Sequence, residues 1–273
     1  MVAAAALCVW ATFCFLFWQG SWQLLYHPKT TITQTPAKAG LAFDTVDFAT
    51  TDSGQPRLHG WWIPGPPGTL FTAIYLHGAD GNIGDAVSAL APLHTAKLNL
   101  LVFDYRGYGM SQLVRPSEAH WREDTDWAIH YLIDTRHLPA RSIVLAGSGL
   151  GANLALEGAA AHPELSGVVL DGPAEHPLDT VFDDPRARLV PARWLVRDRW
   201  DLGAAATALR VPSLWVNDSA AQVPAHSTEQ AAYNRVAARK VRVWLVDSPK
   251  RATDFTKAVS RWLDDLGWRG QAR

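Results

Sequence analysis

Residues 141–156 read RSIVLAGSGLGANLAL, an apolar run, a glycine-rich turn and a helical pattern. The turn is Gly147-Ser148-Gly149-Leu150-Gly151. A corner of glycine, any residue, serine, any residue, glycine lifts a nucleophilic hydroxyl above the end of a strand. Here the outer glycines stand in place, but the middle position is Gly149 and the serine comes one residue early. Acyl transfer needs that hydroxyl, a histidine to take its proton and an acid to orient the histidine. It also needs backbone N–H groups aimed at the developing oxyanion. In its own frame Ser148 has Leu150 two residues on, where a tight corner wants a small side chain. Ser148 therefore reads first as a turn hydroxyl bonding its own backbone, and only second as a displaced nucleophile.

Short apolar runs must position this corner. Strands are expected at 44–49, 57–63, 71–77, 98–104, 141–147, 166–171, 211–217 and 240–246. The later runs are continuous rather than alternating, as in strands covered on both faces. Helices are expected between them, over 85–96, 117–135, 150–161, 227–238 and 253–266, with Ser117 as an N-cap. Alternating strands and helices argue for a parallel sheet with helices on both faces. Pro64, Pro66 and Pro67 end one strand in a turn. Residues 173–209, rich in Pro, Asp and Arg, break the rhythm and suit a small cap over the sheet's carboxyl edge.

Four stretches carry a family resemblance: YLHGADGNIG (75–84), LVFDYRGYGMS (101–111), IVLAGSGLGANLAL (143–156) and VPSLWVNDSAAQVPAHS (211–227). On them the chain resembles α/β-hydrolases, in particular the serine-aminopeptidase-like branch whose members often carry an N-terminal membrane anchor. The resemblance implies an α/β-hydrolase fold over residues 40–267, with a mostly parallel eight-stranded sheet. It places Gly149 at the nucleophile position and Ala221 at the acid. Lys250 or Arg251 stands at the base. No histidine follows His226, and arginine cannot act as a base. Asp218 lies three residues before the acid position and reads as a loop carboxylate. The backbone N–H groups of Ala79 and Leu150 would still form an oxyanion hole, beside His77 and Gly78 and at a helix N-terminus. Glu175 and His176 would face the same pocket, His176 being the least improbable partner for Ser148. His77 is expected to brace the oxyanion loop, and Asp104 and Arg106 to hold their turn by charge-assisted bonds. His59, His94, His120, His130, His137 and His162 read as surface or loop positions.

Composition narrows the rest. The chain has 273 residues, 48% hydrophobic and 19% charged, with a formal net charge of −1. That balance supports a sizeable core and offers no overall basic excess for nucleic acid or anionic lipid. Both cysteines, Cys8 and Cys14, lie in the first apolar segment, so no thiolate site is available elsewhere. No His-x-x-x-His spacing appears, and no metal or cofactor is expected. Residues 2–18 carry no charge, and Trp18, Trp22 and Tyr26 follow as interfacial anchors. Residues 1–27 are expected to be an uncleaved single-pass membrane anchor. A cleaved signal peptide fits less well without a basic n-region. Lys29 and Lys38 follow the span, which favours a cytoplasmic domain.

The expected function is a membrane-anchored α/β-hydrolase-fold protein with a degenerate triad, a pseudo-hydrolase that binds an acyl-like small molecule or a protein. Two alternatives stand beside it: an ester or amide hydrolase working through Ser148, and a structural partner in a membrane complex.

Overall fold

The computed structural model describes residues 1–219 and 227–270. Eight strands form one sheet: β1 (Asp44–Thr50), β2 (Pro56–Ile63), β3 (Phe71–Leu76), β4 (Leu98–Phe103), β5 (Ile143–Ser148), β6 (Gly167–Asp171), β7 (Ser213–Asp218) and β8 (Lys240–Leu245). Their order is β1-β2-β4-β3-β5-β6-β7-β8. The β1–β2 and β2–β4 pairs are antiparallel and every other pair is parallel. The sheet is thus mostly parallel with a mixed edge, and each strand falls within two residues of its expected limits.

Alternation sorts the two faces, because successive side chains of a strand point to opposite sides. Ile74, Leu145, Val168 and Leu170 pack in one buried cluster with residues of α3 (Glu118–His130) and α4 (Leu150–Ala161). Ala73, Tyr75, Val144, Ala146 and Val169 pack in the other, with α2 (Val87–Thr95) and α7 (Arg251–Gly270). Ser117 caps α3 by accepting the His120 N–H at 3.2 Å. The last helix starts at Arg251, two residues earlier than periodicity predicts, because Arg251 and Ala252 in its first turn add no large apolar side chain to the pattern. His59 corrects its surface assignment: it sits within β2, 9% exposed, with Nδ1 2.8 Å from Asp47 Oδ1.

Between β6 and β7 the chain makes only short turns of helix, at 179–182, 185–189 and 192–195, and then α5 (Leu202–Ala208), while α6 (Thr228–Arg235) lies between β7 and β8. The N-terminus forms α1 (Val2–Gly20), and Val2–Leu24 is apolar enough, at a mean hydropathy of 1.8, to cross a membrane or to serve as a signal sequence. Phe17, Leu25 and Tyr26 are buried against the domain. Just after them, His27–Pro28 pairs in parallel with Asp80–Gly81.

Candidate active site

The corner between β5 and α4 turns on Gly149. Gly149 has φ 55° and ψ −125°, a left-handed conformation that is strained for a side chain. A Cβ there would meet no atom within 4 Å, so the position opens into free space. The flanking glycines are the reverse case. A Cβ at Gly147 would overlap the Gly151 carbonyl, and one at Gly151 would overlap the Leu76 carbonyl. Close approach of helix to strand at these two points therefore needs glycine.

Ser148 points the other way. Its register partner is Asp171 on β6, and its Oγ lies 3.0 Å from Tyr75 Oη. Burial pushes the Tyr75 phenol up to about 12, so at neutral pH it is not a base for that hydroxyl. His176, the candidate partner for Ser148, pairs its Nε2 with Thr228 Oγ1 at 3.1 Å instead. Glu175 is half-buried in the same loop. That loop is tied to α4, where Asn153 accepts the Ala174 N–H at 2.8 Å and donates to the Ala174 carbonyl at 2.9 Å. The structure does not bring Ser148, Glu175 and His176 together by hydrogen bonds.

A charge network forms around one of the two residues expected at the base position. Of Lys250 and Arg251, Lys250 is exposed and Arg251 turns inward. Arg251 Nη2 donates to Asp171 Oδ1 and its Nε to Asp218 Oδ1, both at 2.9 Å. Asp171 ends β6 and Asp218 ends β7, so adjacent parallel strands deliver two carboxylates to one guanidinium. Burial alone would weaken the Arg251 charge, but the bonds to Asp218 and Asp171 outweigh it and hold the group above its ordinary value. Asp171 shifts upward, because burial exceeds what Arg251 returns. Its main-chain carbonyl also accepts the Gly149 N–H at 3.1 Å, which ties the network to the corner. Asp171 escaped the sequence reading because it follows an apolar run as any strand-ending residue does. Asp218 was set aside as a loop carboxylate. Ala221, the expected acid position, lies outside the described residues.

Beside this network a cavity of about 350 Å³ opens between the strand ends and helices α2 and α7. Tyr75, Asp171 and Arg251 supply its polar wall; Leu93, Val169 and Phe255 supply its apolar one.

The loop 77–79, where an oxyanion hole is expected, is by contrast braced at every carbonyl. Tyr105 Oη donates to His77 O at 2.9 Å, and His77 Nδ1 contacts Gly78 O at 2.9 Å. Ala79 O accepts from Tyr108 Oη at 2.8 Å and from the His27 N–H at 3.0 Å. Among the described residues neither the Ala79 nor the Leu150 N–H donates to a protein acceptor. His77 packs on Tyr105 and Tyr108, with ring centroids 4.4 and 5.3 Å apart. Burial lowers its imidazole to about 4, so it is neutral at physiological pH. Its Nε2 stands 3.8 Å from Asp104 Oδ1, and burial raises that carboxyl to about 7. Asp104 accepts the Ile83 N–H at 2.8 Å, while Arg106 pairs with Asp124 and Glu123, so both residues hold the loops together as expected.

A family model for the alpha/beta hydrolase family matches residues 58–269. Among solved structures, the Pyrococcus furiosus esterase Pf2001 superposes with a TM-score of 0.66 at 19% identity, over 88% of this chain and 98% of that one. A fungal esterase from Rhizomucor miehei superposes with a TM-score of 0.61 at 15% identity, over 87% of each chain. At these identities the likeness is one of fold. Uncharacterized protein YfhR of Salmonella typhimurium is 33% identical over 133 residues, 47% of this chain and 43% of that protein. Protein bem46 of Schizosaccharomyces pombe is 26% identical over 123 residues, 45% of this chain and 41% of that protein. The matches thus span less than half the length of these curated relatives. With the fold, the strand order and a model match across most of the domain in agreement, the chain belongs to the alpha/beta hydrolase family.

Proposed function

We propose that this chain is a membrane-anchored α/β-hydrolase-fold protein of the serine-aminopeptidase-like branch that has lost serine hydrolysis and acts by binding. One observation carries the reading. Arg251, which the resemblance puts at the base, is clamped between Asp171 and Asp218, and the corner residue that the resemblance puts at the nucleophile is Gly149. A guanidinium stays protonated at any pH the fold survives, so it cannot take a proton from a hydroxyl. What remains is the Leu150 N–H at a helix N-terminus and the Ala79 N–H in the loop 77–79, neither of which donates to a protein acceptor among the described residues. Those groups suit the carbonyl oxygen of an acyl-like ligand, and the half-apolar cavity beside Arg251 suits an apolar chain. The apolar α1 supports the anchor, and Lys29 and Lys38 beyond it favour a cytoplasmic domain.

Hydrolysis through Ser148 finds no support in the geometry, because its hydroxyl pairs with a phenol held near 12. The test is a fluorophosphonate probe together with short acyl esters, applied to the full chain. The expected result is labelling and turnover at background. Stoichiometric labelling that denaturation abolishes sinks the proposal.

A further inference from the structure

The overall charge of −1 conceals a local asymmetry. Residues 185–199, PRARLVPARWLVRDR, hold five arginines and one aspartate. Arg186 is spent on Asp184, at 2.8 Å. Arg188, Arg193, Arg197 and Arg199 are exposed, and among the described residues they form no ion pair. The lone aspartate is turned inward, where Asp198 accepts from Tyr26 Oη at 2.6 Å and from the Glu118 N–H at 3.2 Å. Two large apolar side chains stand out among the arginines, Trp194 at 87% exposure and Leu189 at 58%. A soluble surface has no reason to present a tryptophan this way; a membrane interface favours one.

The segment lies directly against the apolar helix. Trp10 Nε1 donates to the Leu189 carbonyl at 3.1 Å, and Phe17 is buried beneath. Arg115 adds a further cation here, its guanidinium 5.6 Å from the Trp18 ring and bonded to the Trp18 carbonyl at 2.8 Å. Residues 2–9, exposed throughout, lie on the N-terminal side of the Trp10 contact. At 1.5 Å per residue they extend about 12 Å, less than half of a hydrocarbon core of about 30 Å. While the contact holds, α1 reaches into one leaflet and the arginine-rich segment is carried to the headgroup layer.

We propose that residues 185–199 form a docking face for an anionic phospholipid surface, Trp194 and Leu189 entering the interface and Arg188, Arg193, Arg197 and Arg199 meeting phosphates. The proposal rests on the reading of α1 as a membrane segment. Juxtamembrane cations are each attracted to an anionic leaflet, so four together dominate over any single contact.

The test uses the full chain with Cys8→Ser, Cys14→Ser and Trp194→Cys, position 194 carrying an environment-sensitive fluorophore. It is reconstituted into vesicles of phosphatidylcholine alone or with phosphatidylglycerol. The expected result is flotation with both vesicles and a blue-shifted label only in the anionic ones. The added change of Arg188, Arg193, Arg197 and Arg199 to Gln should erase the shift. So should 0.5 M salt on the arginine-bearing protein, a check independent of whether the variant folds. Flotation with both vesicles and identical label spectra overturns the docking face and leaves the anchor standing. Flotation with neither overturns the anchor and the docking face together.

Discussion

The two sides of the candidate site are held by different physics. On one side, the loop 77–79 is fixed by neutral bonds from buried tyrosines and a neutral histidine, on an aromatic cluster that continues through Trp121 to Tyr26. On the other, the ends of β6 and β7 and the start of α7 are fixed by one guanidinium and two carboxylates. The first arrangement preserves a shape: a corner and a braced loop with free N–H groups. In the proposed reading the second replaces the working parts, putting a permanent cation where a proton acceptor would be required. The contrast teaches that the shape of an active site and its chemistry are separable, and that each can be perturbed alone.

The shape should be the costlier to disturb. Gly151→Val forces a side chain onto the Leu76 and His77 carbonyls, in backbone that cannot yield. It should cost about 3–5 kcal/mol of stability, read as the shift in a urea unfolding midpoint. Arg251→Ala should cost less, about 1–3 kcal/mol, since the pair it leaves is only partly buried. Adding Asp171→Asn should recover part of that loss, because the orphaned charge goes with it. Full additivity of the two losses would mean the network is not a unit.

The braced side should show its hand in pH dependence. Asp104 has a raised folded-state value, so its contribution is complete below about 4, the ordinary aspartate value, and fades as pH rises toward about 7. His77 has a lowered one, so its contribution is complete above about 6.5, the ordinary histidine value, and fades as pH falls toward about 4. The two slopes oppose each other. Asp104→Asn should shift the pH profile toward the histidine slope, so that stability gains less on acidification between about pH 6.5 and 4 than in the parent protein. Thermal melts of both proteins across that range measure it, and an unchanged slope contradicts the opposition.

The fold was legible because each sheet strand is a continuous apolar run, and β5 with its glycines has one geometric reading. The bracing role of His77 in the loop 77–79 was legible for the same reason, its residues being contiguous. The charge network was not. Asp171, Asp218 and Arg251 sit at the ends of β6 and β7 and the start of α7, far apart in sequence, and the parallel register of β6 with β7 brings the two carboxylates together. The contact of Trp10 with Leu189 spans 179 positions and leaves no local trace. Net charge misled in the same way, because a sum over the chain erases a cluster over fifteen residues.

The smallest expected effect is the most direct test of the central claim, that the base is gone along with the nucleophile. Gly149→Ser restores a hydroxyl at a position with open space around it. Fluorophosphonate labelling of that variant, at matched folding, is the measurement. Labelling should stay at background, because Arg251 cannot accept the proton. Substantial labelling at position 149 from this single change would place a working base elsewhere in the site and contradict the account.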